Sequence, residues 1–264
     1  MRPGIWRRLA GANEVVLVIA GALLLWEIAA RIFAAPEYLL PLPSRVIAEL
    51  AARPAIYFGN GDYTLYNTLL AFALSVVIGV GLAVAIVYSR ILERTLYTLL
   101  VALNSVPKVA LAPLFVLWLG TGDASKIAIA FFIAIFAIVV DAVLGLRSVH
   151  PEMLDLAHAL RGNELKILWK IRFPNALPSI FAGMKVAASL ALVGVIVGEF
   201  VAAKRGLGYV ILVSQGTFDT PAVFAAIFVL AILGTVLFYG IELVERKVLP
   251  WHVSHRGQRA GGHG

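Results

Sequence analysis

Long apolar stretches alternate with short polar segments along most of this 264-residue chain. A helix needs about 20 predominantly apolar residues to cross the hydrocarbon core of a bilayer, and several stretches have close to this length. They cover residues 15–33, 64–88, 96–119, 124–146, 178–203 and 222–244. The pattern therefore predicts an all-α integral membrane protein with about six transmembrane helices.

The third stretch, residues 96–119, is the least regular of the set. Pro107 and Pro113 interrupt it, and Lys108 lies between them. Because proline removes a backbone hydrogen bond and breaks or kinks a helix, we expect a broken helix here. Non-helical backbone at membrane depth is tolerated only where protein or a water-filled cavity surrounds it, so this segment is predicted to face a pore or a partner.

The N-terminal residues 1–14 are short and basic. The apolar stretch 15–33 exceeds the roughly 7–15 residues of a signal-peptide core, and no small-residue cleavage pattern follows it. We therefore expect a retained first transmembrane helix. Near its end, Glu27 and Arg31 stand four residues apart, a spacing that allows them to pair on one helix face.

The segment 34–63 is polar enough to leave the membrane and is predicted to form an external loop. Its prolines exclude one long helix; they are Pro36, Pro41, Pro43 and Pro54. Helical spacing of apolar residues nevertheless indicates a short interfacial helix over 44–52, with Ser44 as its N-cap.

The composition agrees with a membrane protein. Hydrophobic residues make up 61% of the chain and charged residues only 14%, with a mean hydropathy of +0.92, whereas soluble domains carry about 25% charged residues. The absence of cysteine excludes a disulfide framework, a cysteine-based zinc site and a thiol nucleophile.

The basic excess follows the predicted topology. Lys and Arg outnumber Asp and Glu by 22 to 15, for a net charge of +7. With the N-terminus inside, fourteen of the basic residues fall in inside segments and five in outside ones. Because cytoplasmic loops are enriched in Lys and Arg, both termini are predicted to be cytoplasmic, and no nucleic-acid partner is expected.

Residues 145–177 form the longest inside loop and join the fourth and fifth predicted helices. Pro151 suits the first turn of a helix, and Gly162 is predicted to end that helix. Between them, an apolar stripe follows helical offsets of 3, 4 and 7 residues. Its members are Met153, Leu156, Ala157 and Leu160.

A second amphipathic segment, Glu164 to Ile171, follows in the same loop, and Pro174 and Pro178 are expected to stop it. A loop that only joins two helices needs about 2–8 residues. The much longer patterned segment therefore indicates either a docking surface for a partner or two short helices that lie on the membrane surface.

The stretch from Asp155 to Pro178 resembles the cytoplasmic EAA loop of ABC importer permeases, the inner-membrane components of binding-protein-dependent transport systems. Asp155 stands at the glutamate position of that motif, and Ala157 and Ala159 supply its small residues. Residues 174–178 read Pro-Asn-Ala-Leu-Pro and match its closing segment.

One departure from the motif concerns its glycine. Alignment from the closing segment puts Arg161 at the usual glycine position, with Gly162 one residue later. We therefore expect the sharp turn between the two helices of the loop to differ from the family pattern.

Other parts of the chain are similar to permeases for nitrate, taurine and alkanesulfonates. These parts are residues 106–118, Gly198-Glu199-Phe200, Gly206-Leu207-Gly208-Tyr209 and Leu249-Pro250-Trp251. Together with the predicted helices they extend the resemblance from Leu24 to Trp251.

The resemblance implies partners. In such importers two permeases form the pore, two ATPase subunits bind them from the cytoplasm, and a periplasmic or lipid-anchored binding protein delivers the solute at the bacterial inner membrane. This chain has no GxxxxGK[ST] phosphate loop, so ATP and Mg²⁺ are expected on the ATPase subunit. The resemblance therefore implies no catalytic residue and no cofactor in this chain, which would pair with a second permease, as a homodimer or with a different subunit.

The resemblance also implies the mechanical link, which is the segment 151–161 inserted into a groove on the ATPase. Asp155 is its candidate polar anchor, although a simple solubilising role is the alternative for this residue. The candidate coupling residues are Met153, Asp155, Leu156, Ala157, Ala159, Leu160, Arg161 and Gly162.

The candidates for the translocation path are Pro107, Lys108, Pro113 and Glu199. A cation at membrane depth is costly unless it faces water or a counter-charge, and a small oxyanion would suit Lys108. Snorkelling to the outer interface is the alternative for Lys108. Structural pairing or interface anchoring is the alternative for Glu199, and it is also our expectation for Asp141 and Lys185.

Two further patterns have simple interpretations. Gly194 and Gly198 are four residues apart and allow close helix approach, within the subunit or between two subunits. The histidines of residues 251–264 lie in a glycine- and arginine-rich segment that is predicted to be a disordered cytoplasmic tail, and no metal site is expected there.

Two other classes of protein compete with the importer permease. Broken helices near the midplane are also typical of ion-coupled secondary transporters, but no inverted repeat is evident and the long inside loop has no role in such a protein. A membrane-embedded enzyme would need an acid, a base and a nucleophile in one place, and no such set is found. The identity of the solute stays open: nitrate, bicarbonate, sulfonates, taurine, aromatic acids and pyrimidine precursors all remain candidates.

Overall fold

The computed structural model describes residues 5–33, 36–97, 99, 102 and 106–250, and within these residues the chain is helical and contains no strand. The main helices are α1 (Ile5–Ile32), α2 (Pro43–Ala52), α3 (Pro54–Tyr88), α4 (Ala112–Leu119), α5 (Asp123–Arg147), α6 (Pro151–Ala159), α7 (Phe173–Ala202), α8 (Leu207–Gly216) and α9 (Thr220–Val248). The predicted all-α class is therefore confirmed. The predicted tail, residues 251–264, lies outside the described residues.

Several of the described helices are long and apolar enough to cross a membrane. They are Pro54–Tyr88, Asp123–Arg147, Glu164–Ala202 and Thr220–Val248. Each of these four contains most of one predicted span. The other two predicted spans fall on α1 and on the segment that ends in α4, and their crossing of the membrane stays a prediction.

Helices α5 and α7 form the centre of the subunit. Half of the most apolar part of each is buried, against 28% in α3 and 22% in α9. The two helices approach closely because glycines of α7 leave no side chain between them: a Cβ on Gly194 would overlap Cα of Ala130, and one on Gly198 would lie 3.1 Å from Cα of Lys126. The two glycines therefore pack within the subunit.

The break predicted at Pro107 is present. A 3₁₀ helix, Lys108–Leu111, follows this proline and leads into α4. The expected interruption at Pro113 is wrong, because this proline lies in the first turn of α4. Backbone N–H groups in the first turn of a helix have no partner within the helix, so proline, which lacks this group, loses no hydrogen bond there.

The expectation that Pro174 and Pro178 stop the preceding helix is also wrong. The helical segments Glu164–Ile167, Leu168–Arg172 and α7 follow one another without a gap, so one helical stretch runs over Glu164–Ala202. Leu168–Arg172 is a π-helical turn, and Pro174 lies in the first turn of the α-helix after it. Pro178 lies inside α7, a position that membrane helices tolerate when neighbouring helices and local adjustments satisfy the freed carbonyl.

The segment 34–63, which was predicted to be an external loop, is more helical than predicted. Helix α2 confirms the short helix near 44–52, but α3 already begins at Pro54. The capping role of Ser44 is wrong: Leu42 is the N-cap, and Ser44 N and Oγ donate hydrogen bonds to the Glu27 carboxylate at 3.1 and 3.0 Å. Glu27 also accepts a hydrogen bond from Arg31 Nε at 2.9 Å, which confirms that predicted pair.

Arg53 fixes the corner between α2 and α3. Its Nη2 donates hydrogen bonds to Glu49 at 2.7 Å and to Asp219 at 3.0 Å. These two carboxylates, Glu49 first, raise the pKa of Arg53 above its usual range. The corner is thereby joined to the loop that precedes α9.

Candidate functional site

Helix α6 presents an apolar face to the solvent. Pro151 stands in its first turn, as predicted. Met153, Leu156 and Leu160 are 55%, 60% and 75% exposed, and their offsets of 3 and 7 residues place them on one face. Asp155 and Ala159 are also exposed, and Ala157 is half-buried.

Gly162 was predicted to end α6, but the helix ends two residues earlier. Leu160 is the C-cap of the helix, and Arg161 adopts a left-handed conformation with φ of +53°. Gly162 N then donates to the Ala157 carbonyl at 2.9 Å. The residue at the usual glycine position of the motif thus occupies the position of the turn that favours glycine.

A joint that the sequence did not reveal holds the helices on either side of α6 together. Arg172 Nη1 donates to the Leu146 carbonyl at the end of α5 at 3.0 Å, and Asn175 Nδ2 donates to Ser148 Oγ at 2.7 Å. A Cβ on Gly145 would lie 3.0 Å from Cα of Ala176. The ends of α5 and α7 next to α6 are therefore fixed to each other.

Lys108 lies at the middle depth of α5. Its Nζ is 5.3 Å from the centre of the Phe136 ring, and Phe136 stands near the midpoint of α5, roughly 20 Å from its start at a rise of about 1.5 Å per residue. Pro107 is exposed beside Lys108, while Pro113 belongs to α4.

A cavity of about 350 Å³ lies beside Lys108. Its walls come from the 3₁₀ turn, α5 and α7, and include Lys108, Ile133, Phe136, Asp141, Val186 and Leu190. Sequence reasoning treated Asp141 as a helix-end residue and did not connect it with Lys108. Ile133, Ala137 and Asp141 recur at offsets of 4 residues and so share one side of α5, but only the fold shows that Lys108 packs against that side.

Glu199 does not line this cavity. It is completely buried and accepts hydrogen bonds from Thr64 Oγ1 at 2.8 Å and from Gly208 N at 2.7 Å. Leu207 N donates to Thr64 Oγ1 at 2.9 Å. These bonds satisfy N–H groups at the start of α8, which a helix leaves without internal partners, so Glu199 joins α7, α3 and α8.

Lys185 has the structural role that was expected for it. Its Nζ lies 2.5 Å from the Glu245 carboxylate, and this ion pair joins α7 to α9.

Among the described residues, no group of three His, Asp or Glu side chains could hold a metal ion.

The fold and these sites define a helical membrane protein with a short helix whose apolar face is exposed and a mostly apolar cavity lined by Lys108 and Asp141. A family model described as "Binding-protein-dependent transport system inner membrane component" matches residues 75–250. The chain belongs to this family, and it is a permease subunit of a binding-protein-dependent ABC importer. Family membership thus decides against the secondary transporter and the membrane-embedded enzyme.

Individual relatives extend over nearly the whole chain. The formylaminopyrimidine transport permease protein ThiX of Halalkalibacterium halodurans is 35% identical over 91% of this chain and 96% of its own length. The riboflavin transport system permease protein RibX of Chloroflexus aurantiacus is 33% identical over 88% and 87%. The taurine transport system permease protein TauC of Escherichia coli is 30% identical over 86% and 85%.

A solved structure has the same fold. The inward-facing MetNI methionine ABC transporter contains a chain that superposes with a TM-score of 0.66 at 19% identity, covering 75% of this chain and 98% of that one. At this level of identity the likeness shows the fold alone.

Proposed function

We propose that this chain docks a separate ATPase subunit through α6 and forms the translocation path together with a second copy of itself. The observation that supports docking is the exposed apolar face of Met153, Leu156 and Leu160. Exposed apolar clusters on a protein surface are typical of interaction sites, and burial of these side chains would contribute favourably to docking. Asp155, Ala157, Ala159, Arg161 and Gly162 complete the proposed coupling segment.

The joint between α5 and α7 gives α6 a mechanical role. Because Arg172 bonds the end of α5 and Gly145 contacts Ala176, a displacement of α6 would move both central helices as one body. ATP-driven closure of two ATPase subunits would then switch the pore between inward and outward access. ATP and Mg²⁺ would bind to those subunits.

The proposed topology has six spans, with α6 in the cytoplasmic coupling loop, residues 145–177, between spans four and five. Residues 1–14 and 251–264 would lie in the cytoplasm, 15–33 would form the first span, 34–63 would lie on the periplasmic side, and 64–250 would form the permease core. The distribution of Lys and Arg supports this orientation in the bacterial inner membrane.

The proposed solute is a small molecule with an anionic or acceptor group, delivered by a periplasmic or lipid-anchored binding protein. Lys108 at membrane depth beside a cavity supports an acceptor group on the solute. The relatives named for taurine and for formylaminopyrimidine indicate small organic solutes of this kind. Pro107 and Pro113 would fix the backbone around Lys108.

The docking proposal is tested with the complex of this chain and its ATPase partner, reconstituted in lipid nanodiscs. Leu156→Asp places a charge in the proposed interface, and we expect it to weaken ATPase association at least about tenfold, because burial of an unpaired charge is costly. Leu156→Met keeps the apolar volume and serves as the matched control. Asp155→Arg tests the polar anchor in the same assay.

Association is measured by co-purification and titration, and coupling by ATP turnover stimulated by solute and binding protein. Docking through α6 would be refuted if the Leu156→Asp variant bound the ATPase subunit as tightly as the wild type and its complex hydrolysed ATP at the normal rate. Equal loss in Leu156→Met would indicate a folding defect, which the midpoint of thermal unfolding of the isolated chain detects separately.

A further inference from the structure

The cavity beside Lys108 contains ionisable side chains of both signs. Lys108 comes from the 3₁₀ turn and Asp141 from α5, and both belong to the walls of the same cavity of about 350 Å³. The ring of Phe136 and the side chains of Ile133 and Leu190 provide an apolar surface around them. Its volume is at the lower end of the range for ligand pockets, about 300–1,000 Å³.

Asp141 is placed in this cavity by close packing behind it. A Cβ on Gly183 of α7 would lie 2.8 Å from Cβ of Asp141 and 3.0 Å from Oδ2. Because Gly183 has no side chain, there is room for the Asp141 carboxylate between α5 and α7. Within the part of the chain that the structure describes, no hydrogen bond or salt bridge to Asp141 is found.

A carboxylate at membrane depth without a protein partner is costly, and such groups in membrane proteins typically contact a ligand, an ion or water. The formal charges of Lys108 and Asp141, the two ionisable residues among those that line the cavity, cancel. A simple monoanion would add a net negative charge next to Asp141 in a medium of low dielectric constant, where charge interactions are strong. A zwitterionic solute with an ammonium and an anionic group adds no net charge, and neither does a neutral solute with a donor and an acceptor group.

We propose that this cavity binds an amphoteric solute, with an amine or ring amino group on Asp141, an anionic or acceptor group on Lys108, and its carbon skeleton along Phe136. This inference rests on the proposed importer function and narrows its solute class. Asp141 is then a specificity residue that separates amino-bearing solutes from their amine-free analogues.

The test uses probe pairs that differ in one amino group: taurine and ethanesulfonate, β-alanine and propionate, and 4-amino-2-methylpyrimidine and 2-methylpyrimidine. Binding to the permease–ATPase complex in nanodiscs is measured by isothermal titration calorimetry. We expect at least one amino-bearing probe to bind about tenfold or more tightly than its partner, since a hydrogen bond to a charged group is worth such a factor.

Asp141→Asn is nearly isosteric and should abolish this preference. The exposed Asp62→Asn is the matched control and should retain it. The proposal is overturned if no pair shows a preference, whether both members bind equally or neither binds, or if the preference persists in Asp141→Asn.

Failure of this proposal and failure of the importer function give different results. A complex that hydrolyses ATP in response to its binding protein, but shows no amino preference, retains the importer function and refutes only the role of Asp141. A chain that associates with no ATPase refutes the coupling proposal, whereas probe binding to the chain alone still reports on the cavity.

Discussion

At the scale of single residues, Arg161 is under backbone strain. Its φ of +53° is a left-handed conformation that costs a residue with a Cβ about 1 kcal/mol or more. We predict that Arg161→Gly raises the free energy of unfolding by about 1 kcal/mol, because glycine adopts this conformation without steric conflict. The measurement is the midpoint of thermal unfolding of the purified chain in detergent.

Arg161→Ala is the control for this prediction. Alanine removes the guanidinium but keeps the Cβ, so no comparable gain is expected. An equal gain in both variants would attribute the effect to the charge of Arg161 and would contradict the backbone explanation.

Glu199 is a second residue whose contribution to stability can be tested. Glu199→Ala would leave Thr64 Oγ1 and Gly208 N buried with a hydrogen bond lost, which costs about 1–3 kcal/mol. We predict a clear fall in the unfolding midpoint of Glu199→Ala and a smaller fall in Glu199→Gln, whose amide oxygen still accepts one hydrogen bond. Normal stability of Glu199→Ala together with altered solute binding would instead support a place in the translocation path.

At the scale of helices, the contact between α5 and α7 depends on glycine. A Cβ on Gly194 would overlap the backbone of Ala130, whereas a Cβ on Gly81 of α3 would meet nothing within 4 Å. We predict that Gly194→Ala lowers the free energy of unfolding by about 1–3 kcal/mol through overpacking, and that Gly81→Ala leaves it within about 1 kcal/mol of wild type. Thermal unfolding of the two variants side by side measures the difference, and equal stability would contradict a close α5–α7 contact.

The length of the apolar stretches was sufficient to predict most of the long helices, because such stretches leave few alternatives in a membrane. Prediction failed where local backbone rules compete with packing. Pro178 reads as a helix stop, yet α7 continues through it because the helix is packed among neighbours that the sequence does not display. Ser44 reads as an N-cap, yet its hydroxyl bonds Glu27, seventeen residues away, and no local pattern predicts such a contact.

The candidate sites likewise include some that a local sequence pattern predicts and some that only the packing of distant segments brings together. The exposed stripe of α6 is a local pattern within a few turns, so its residues could be predicted from spacing alone. The cavity joins Lys108 to Asp141, thirty-three residues later in the chain, and its formation depends on how the 3₁₀ turn packs against α5. Glu199 lies next to glycines that resemble a family motif, but only the fold shows that its carboxylate bonds the start of α8.

At the scale of the whole molecule, the orientation in the membrane can be tested at the two ends of one helical stretch. The segment Glu164–Ala202 has 39 residues and, at about 1.5 Å per residue, extends over roughly 58 Å, well beyond the hydrocarbon core of about 30 Å. Lys166 and Lys204 are both exposed and lie near its opposite ends. If the stretch crosses the membrane, these two lysines must lie on opposite sides.

The absence of cysteine makes Lys166→Cys and Lys204→Cys single reporters without further changes to the chain. We predict that a membrane-impermeant maleimide labels Lys204→Cys in spheroplasts, and that it labels Lys166→Cys only in inside-out vesicles, because the basic residues around α6 favour the cytoplasm. Labelling of Lys166→Cys from outside would place α6 on the external face. In that case no cytoplasmic ATPase could reach α6, and docking through this helix would be excluded whatever the association assay with purified subunits shows.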